Sequence, residues 1–249
     1  MKLSEMLAYC AGEFLDDRTD LIDGDNDDLW SDDFLVRQFN YAQRMLCRRA
    51  WVIIEYGVSP VAVITLVTGK ALYPYNKAIL RVFDATPSSQ VAMLGRTTDE
   101  HIRNAGAVGA DAFDVGEAAA LAGSAETGVP IAIATDAATR TIRVHPVPTA
   151  AQNGTRLYLK IARMPIEDLS LEDTDAEPEV PDEWHMDICH YAAGRALTLP
   201  NVDADQKPEG RRLLAEFDET VRLARQERER AEMSDNRWAF SSVTARLDW

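Results

Sequence analysis

Three cysteines in 249 residues, Cys10, Cys47 and Cys189, are odd in number, widely separated and without CxxC spacing. No disulfide framework or zinc ribbon is expected from them, and they fit a reducing compartment. Long apolar runs are also missing. No stretch approaches eighteen uncharged apolar residues, and Met1-Lys2-Leu3-Ser4-Glu5 leads into an amphipathic segment rather than an apolar leader. Neither a signal peptide nor a membrane span is expected. Basic charge is scarce: 26 Lys and Arg stand against 41 Asp and Glu, a formal charge of -15. Gripping nucleic acid is thereby disfavoured as a main role, because phosphate binding needs a dense basic surface. Passing DNA through a repelling pore is compatible with it.

Site chemistry is equally sparse. Gly106, Gly109 and Gly116 do not form GxGxxG, and the chain has neither GxxxxGK[ST] nor GxSxG. The histidines are His101, His145, His185 and His190. His185 and Cys189 stand four apart on a predicted helix, but a zinc site wants three or four ligands, and His190 points about 100° away from Cys189. Asp23-Gly24-Asp25-Asn26-Asp27-Asp28 imitates a calcium loop. It has Asp28 where Gly is needed at the sixth position, and Phe34 where the bidentate Glu belongs at the twelfth. No catalytic residue, cofactor or metal ligand is therefore assigned, and the chain is not expected to be an enzyme.

What is present is a core. Hydrophobic residues make up 46% of the chain, enough for one large or two modest domains. Leu3, Met6, Leu7, Cys10, Ala11, Phe14 and Leu15 predict a first helix ending near Leu15. Ser31, followed by Asp32 and Asp33, is a fitting N-cap for a second. Phe34, Leu35, Phe39, Ala42, Leu46, Ala50 and Ile53 carry that helix to about Tyr56, with Arg37, Arg44, Arg48 and Arg49 on its flanks. After Gly57 the pattern turns to strands: 61–67, 78–84, 91–94, 130–135, 141–145 and 156–163, with a hairpin turn at 136–139. Short helices are expected at 97–104 and 116–122, and 105–112 is a small-residue run of loop or partial helix. Pro181 opens a further helix that Pro200 ends, and 208–233 forms the last, with Leu214, Phe217, Val221 and Ala224 at helical spacing.

The acidic residues cluster. Between Asp16 and Asp33 nine aspartates face only Arg18, and Glu167 to Glu183 holds nine carboxylates without Lys or Arg. Such runs are expected to stay solvated as loops or linkers. Arg outnumbers Lys 21 to 5, which suits bidentate and stacking contacts at interfaces, or reflects GC-rich coding. The last sixteen residues carry Arg237, Trp238, Phe240, Val243, Arg246, Leu247 and Trp249, the side-chain types that anchor interfaces, with little periodicity. They form the candidate partner interface.

The expected fold is α+β: a bundle of N- and C-terminal helices with an inserted antiparallel β domain and an extended C-terminal tail. The expected boundaries are 1–57 for the N-terminal helices, 58–165 for the β domain, 166–233 for the acidic linker and C-terminal helices, and 234–249 for the tail.

The stretch from Leu29-Trp30-Ser31-Asp32-Asp33-Phe34-Leu35 through Asn40-Tyr41-Ala42-Gln43-Arg44 resembles the opening helix of tailed-phage head-to-tail connector (adaptor, or head completion) proteins, with their W-S-D-x-x-L start and N-x-A-Q. Gly128-Val129-Pro130 before a strand, Ile142 to Pro148 ending in Pro-x-Pro, Arg163-Met164-Pro165, Ile188 to Ala196 and Phe217 to Arg225 are similar to that group in the same order. The resemblance implies a structural virion subunit at the head–tail junction, assembled in the host cytoplasm as a dodecameric ring. It implies contact with the portal protein above and with tail or nozzle proteins below, DNA passing through without specific binding, no membrane, and no catalytic residues. Another tail or baseplate component, or a non-viral oligomeric binding domain, is the alternative.

Overall fold

The structure is a computed structural model that describes residues 1–15, 30–88, 95–96, 127–136 and 138–244, with side chains for all of these except 95–96 and 232–244. The expectations for strand 91–94, helices 97–104 and 116–122, run 105–112 and most of the first acidic stretch, including the calcium-like loop, lie outside the described residues. The fold is α+β. Two compact units are present, one made of Met1–Ile53 with Met164–Trp249, the other of Ile54–Arg163.

The first unit is helical. Helix α1 (Leu3–Cys10) continues as a wider π-helical turn over Ala11–Leu15, and buries Leu3, Met6 and Cys10. Helix α2 (Asp32–Ala50) starts where its sequence predicts, with Ser31 Oγ accepting from the Phe34 N–H at 3.3 Å and Asp32 and Asp33 at the positive end of the dipole. It ends six residues earlier than the periodicity suggests. Trp51 takes the left-handed conformation (φ 53°, ψ 45°) and its N–H closes on the Cys47 carbonyl at 3.1 Å. Val52 and Ile53 are buried beyond that cap in non-helical backbone, so apolar positions mimicked another helical turn. Helix α3 (His185–Leu197) and helix α4 (Lys207–Thr244) complete the unit. Helix α4 runs on to Thr244, whereas an extended tail was expected from Ser234.

Helices α3 and α4 meet through glycine. A Cβ on Gly210 would stand 2.8 Å from Leu197 Cβ and 3.0 Å from the Gly194 carbonyl oxygen; one on Gly194 would stand 3.0 Å from the Gly210 oxygen. The backbones therefore approach more closely than any side chain would allow. Around this contact Phe39, Leu46, Ile188, Ala192, Leu213, Phe217 and Val221 are buried, so α2, α3 and α4 all contribute apolar side chains to the unit's interior.

The second unit is built on β10 (Arg156–Arg163), the central strand of an antiparallel sheet. One edge of β10 pairs with β4 (Ile79–Pro87); the other pairs with β2 (Val63–Thr65) and then β1 (Ile54–Tyr56). A second sheet has the order β3 (Leu72–Pro74), β8 (Thr141–His145), β7 (Ala132–Asp136), β5 (Gly95–Arg96). Not all of the pairing is antiparallel: β5 and β7 are parallel, as are β6 (Thr127–Gly128) and β9 (Val147–Pro148). Both larger sheets bury one face in a common core, with Ile64, Ile79, Leu157, Leu159 and Ile161 from the first and Tyr73, Ile133, Ile142 and Val144 from the second. Asp136 Oδ1 accepts from the Ala138 N–H at 2.8 Å, an Asx-type bond that turns β7 into β8.

Candidate interaction site

The second acidic segment is no free linker. Asn40 on α2 grips its backbone: Nδ2 donates to the Leu169 carbonyl at 2.9 Å and Oδ1 accepts from the Leu169 N–H at 2.8 Å. The first-turn amides of α1, which have no partner within the helix, donate to the same segment, Leu3 N to Ala176 O at 2.9 Å and Ser4 N to Thr174 O at 3.0 Å. Glu179 Oε1 accepts from the Ile166 and Glu167 amides, Asp168 pairs with Arg44, and Asp175 pairs with Lys2 at 2.9 Å. The Asp175 carboxylate raises the Lys2 ammonium above its usual value. Leu169 and Val180 are buried as apolar anchors. The segment is a mostly exposed loop, as its run of carboxylates suggests, but backbone donors and two cations, Arg44 and Lys2, tie it down.

The His185–Cys189 pair is likewise committed to packing. Nε2 of His185 faces the Val180 carbonyl at 2.9 Å and Nδ1 faces the Met1 amino group at 2.8 Å, so Nε2 carries the ring proton and both nitrogens are engaged. The Cys189 thiol lies 4.0 Å from the Met6 carbonyl and the Cys10 thiol 3.6 Å from the Cys189 carbonyl. The contact with Cys189, and then burial, push the Cys10 thiol well up, away from the nucleophilic thiolate. His190 turns to another set of partners, its ring against Phe14 at 5.4 Å and Tyr9 at 6.4 Å. Among the described residues no three His, Cys, Asp or Glu side chains are placed to hold a metal ion.

Two concave surfaces are formed by described residues of the helical unit. In the first, Arg49 pairs with Asp218 and Arg225 with Glu229, while the Arg225 guanidinium covers the Trp51 ring at 4.7 Å and donates to the Arg49 carbonyl at 3.2 Å. This network satisfies itself. The second, about 460 Å³, runs between α2 and α3 and is lined by Arg37, Gln38, Tyr41, Tyr191 and Arg195. Tyr41 stacks on Tyr191 at 5.9 Å, and Tyr191 rests on Phe217 at 4.8 Å, so the rings are set from below by α4. Burial raises the Tyr191 phenol above its usual value, with Arg195 pulling against it. Arg195 is exposed and has no carboxylate partner among the described residues; Arg37 shares Asp33 at 3.0 Å. Sequence reasoning did not single out this groove, although a signal was present: Arg37 with Tyr41, and Tyr191 with Arg195, are each four residues apart and so share a helix face.

Of the interface residues expected from sequence, Arg237, Trp238, Phe240 and Val243 fall within the helical run of α4. Arg246, Leu247 and Trp249 lie outside the described residues. None of the described helices is long and apolar enough to cross a membrane.

No curated protein matches the chain. Residues 1–241 match the SU10 adaptor protein family, a span that takes in both units and α4 as far as Ser241. A match of that length, over helices, sheets and the helical return alike, establishes that the chain belongs to the SU10 adaptor protein family, a phage head–tail adaptor family.

Proposed function

We propose that the protein is a non-catalytic ring subunit, a dodecamer on the portal, that joins portal to tail proteins and lines the channel through which DNA passes. The carrying observation is the family match over residues 1–241. Composition agrees with it: a chain of formal charge -15 repels phosphate, so DNA slides past without sticking. The helical unit supplies the ring body in this reading, and residues 234–249 reach the portal, with Arg237, Trp238, Phe240, Val243, Arg246, Leu247 and Trp249 as anchors. Assembly takes place in the host cytoplasm and the finished ring sits at the head–tail junction.

Deleting residues 234–249 tests the portal contact. Among the described side chains of α4, those that reach the core, Leu213, Phe217, Val221 and Ala224, precede the cut. The truncated protein is expected to keep its helical content and melting transition while heads and tails fail to join. Unfolding or aggregation of the isolated truncated protein would show that the segment belongs to its own core instead.

A further inference from the structure

In a protein with formal charge -15, a local reversal of sign favours contact between two copies. The groove between α2 and α3 provides one. Arg37 and Arg195 flank two stacked tyrosines, of which Tyr41 is 53% exposed, and Arg and Tyr are the residues over-represented among binding hot spots. Its chemical complement is also present, on the acidic segment. Leu171 is an exposed apolar side chain there; the exposed Glu172 and Asp173 have no cationic partner among the described residues, and the exposed Glu177 shares Lys2 with Asp175.

Position decides whether the groove is filled by its own chain. Asn40 turns toward the acidic segment and Tyr41 toward α3, and consecutive helical residues point about 100° apart. Among the described residues, none of the segment lines the groove. Asn40, Arg44, Lys2 and the amides of α1 tie the segment down where it is. A second copy can present the same segment to the groove, and because the two surfaces differ, the contact is head-to-tail, the kind that a closed ring repeats. We propose that the α2/α3 groove receives the 171–177 segment of a neighbouring copy, Leu171 against the tyrosines and Glu172 and Glu177 against Arg37 and Arg195. This rests on the ring reading and names its subunit contact.

The test is a charge exchange, with the full chain alone and on purified portal rings, sized by sedimentation velocity. Arg37→Glu with Arg195→Glu is expected to weaken copy–copy association at least about tenfold. Combining these with Glu172→Lys and Glu177→Lys should restore it. All four sites are exposed, so circular dichroism should confirm that each variant folds. Association indifferent to the exchanges overturns the groove contact and leaves the ring standing. Loss without restoration assigns the groove to a different acidic partner and overturns the self-contact. No copy–copy association in either setting overturns both readings.

Discussion

Replacing Asn40 with Asp alters one atom and tests how the acidic segment is held. The wild-type amide donates to the Leu169 carbonyl at 2.9 Å while its oxygen accepts from the Leu169 N–H at 2.8 Å. Asn40→Asp keeps the acceptor, removes the donor, and sets a carboxylate oxygen against the carbonyl. Leu169 is only 7% exposed, so that carbonyl finds little water in exchange. A lost hydrogen bond costs about 1 kcal/mol and a stranded buried acceptor about 1–3 kcal/mol, part of which the charge-assisted N–H bond offsets. The net expectation is a loss of about 2 kcal/mol at pH 7. The sign of the pH dependence follows. The folded state disfavours the new carboxylate, which raises its folded pKa, so the folded state holds the proton more tightly than the unfolded chain. Stability relative to wild type should then recover as pH falls from roughly 6 to 4, because the protonated acid can donate to the carbonyl again. Urea unfolding followed by tryptophan fluorescence suits the measurement, since Trp30, Trp51 and Trp184 belong to the helical unit. Hydrogen exchange at the Leu169 amide reads the contact directly. An Asn40→Asp protein as stable as wild type at pH 7, or equally weakened at both pH values, would refute the clamp.

Gly210→Ala gains up to about 1 kcal/mol of helix propensity but forces α3 and α4 apart at a 2.8 Å contact with Leu197 and a 3.0 Å contact with the backbone oxygen of Gly194. Overpacking of this kind costs about 1–3 kcal/mol, so the same fluorescence assay should show a net loss; a neutral or stabilised variant would mean that the helices are not so close. Burial pushes the Asp187 carboxyl up, against the pull of His190 and a bond from Thr220, so the folded state binds its proton more tightly than the unfolded chain. Its contribution to stability therefore falls as pH rises through the carboxylate range. The stability of Asp187→Asn relative to wild type should rise from roughly pH 3.5 to pH 6, and a flat difference in urea titrations across that range would count against the shift.

The local signals in the chain survived folding where short-range physics was enough. Ser31-Asp32-Asp33 capped α2 as its hydroxyl and carboxylates required, and the strands expected at 141–145 and 156–163 became β8 and β10 with those bounds. The family resemblance was legible in the same way, as an order of short motifs. Other features depended on partners distant in sequence. Val52 and Ile53 fit a helix face or a buried extended segment equally well, and only the Trp51 cap chose. Leu72–Pro74 carries too little pattern to be predicted, and became a strand because β8 offered it an edge. The carboxylates of 167–183 announce an exposed loop, which they form; that Asn40, Arg44, Lys2 and the open amides of α1 anchor it, from more than 120 residues away, is not legible in them. The α2/α3 groove is of the same kind. Each helix alone records an Arg and a Tyr four residues apart, but the stacking of Tyr41 on Tyr191 exists only once Gly194 and Gly210 have brought α3 against α4 and Phe217 supports the ring from beneath. Sequence determined which faces were apolar and where helices began, because capping and periodicity act within one turn. Tertiary structure decided which charges found partners and which surface was left open, because those energies depend on groups that only the completed fold brings together.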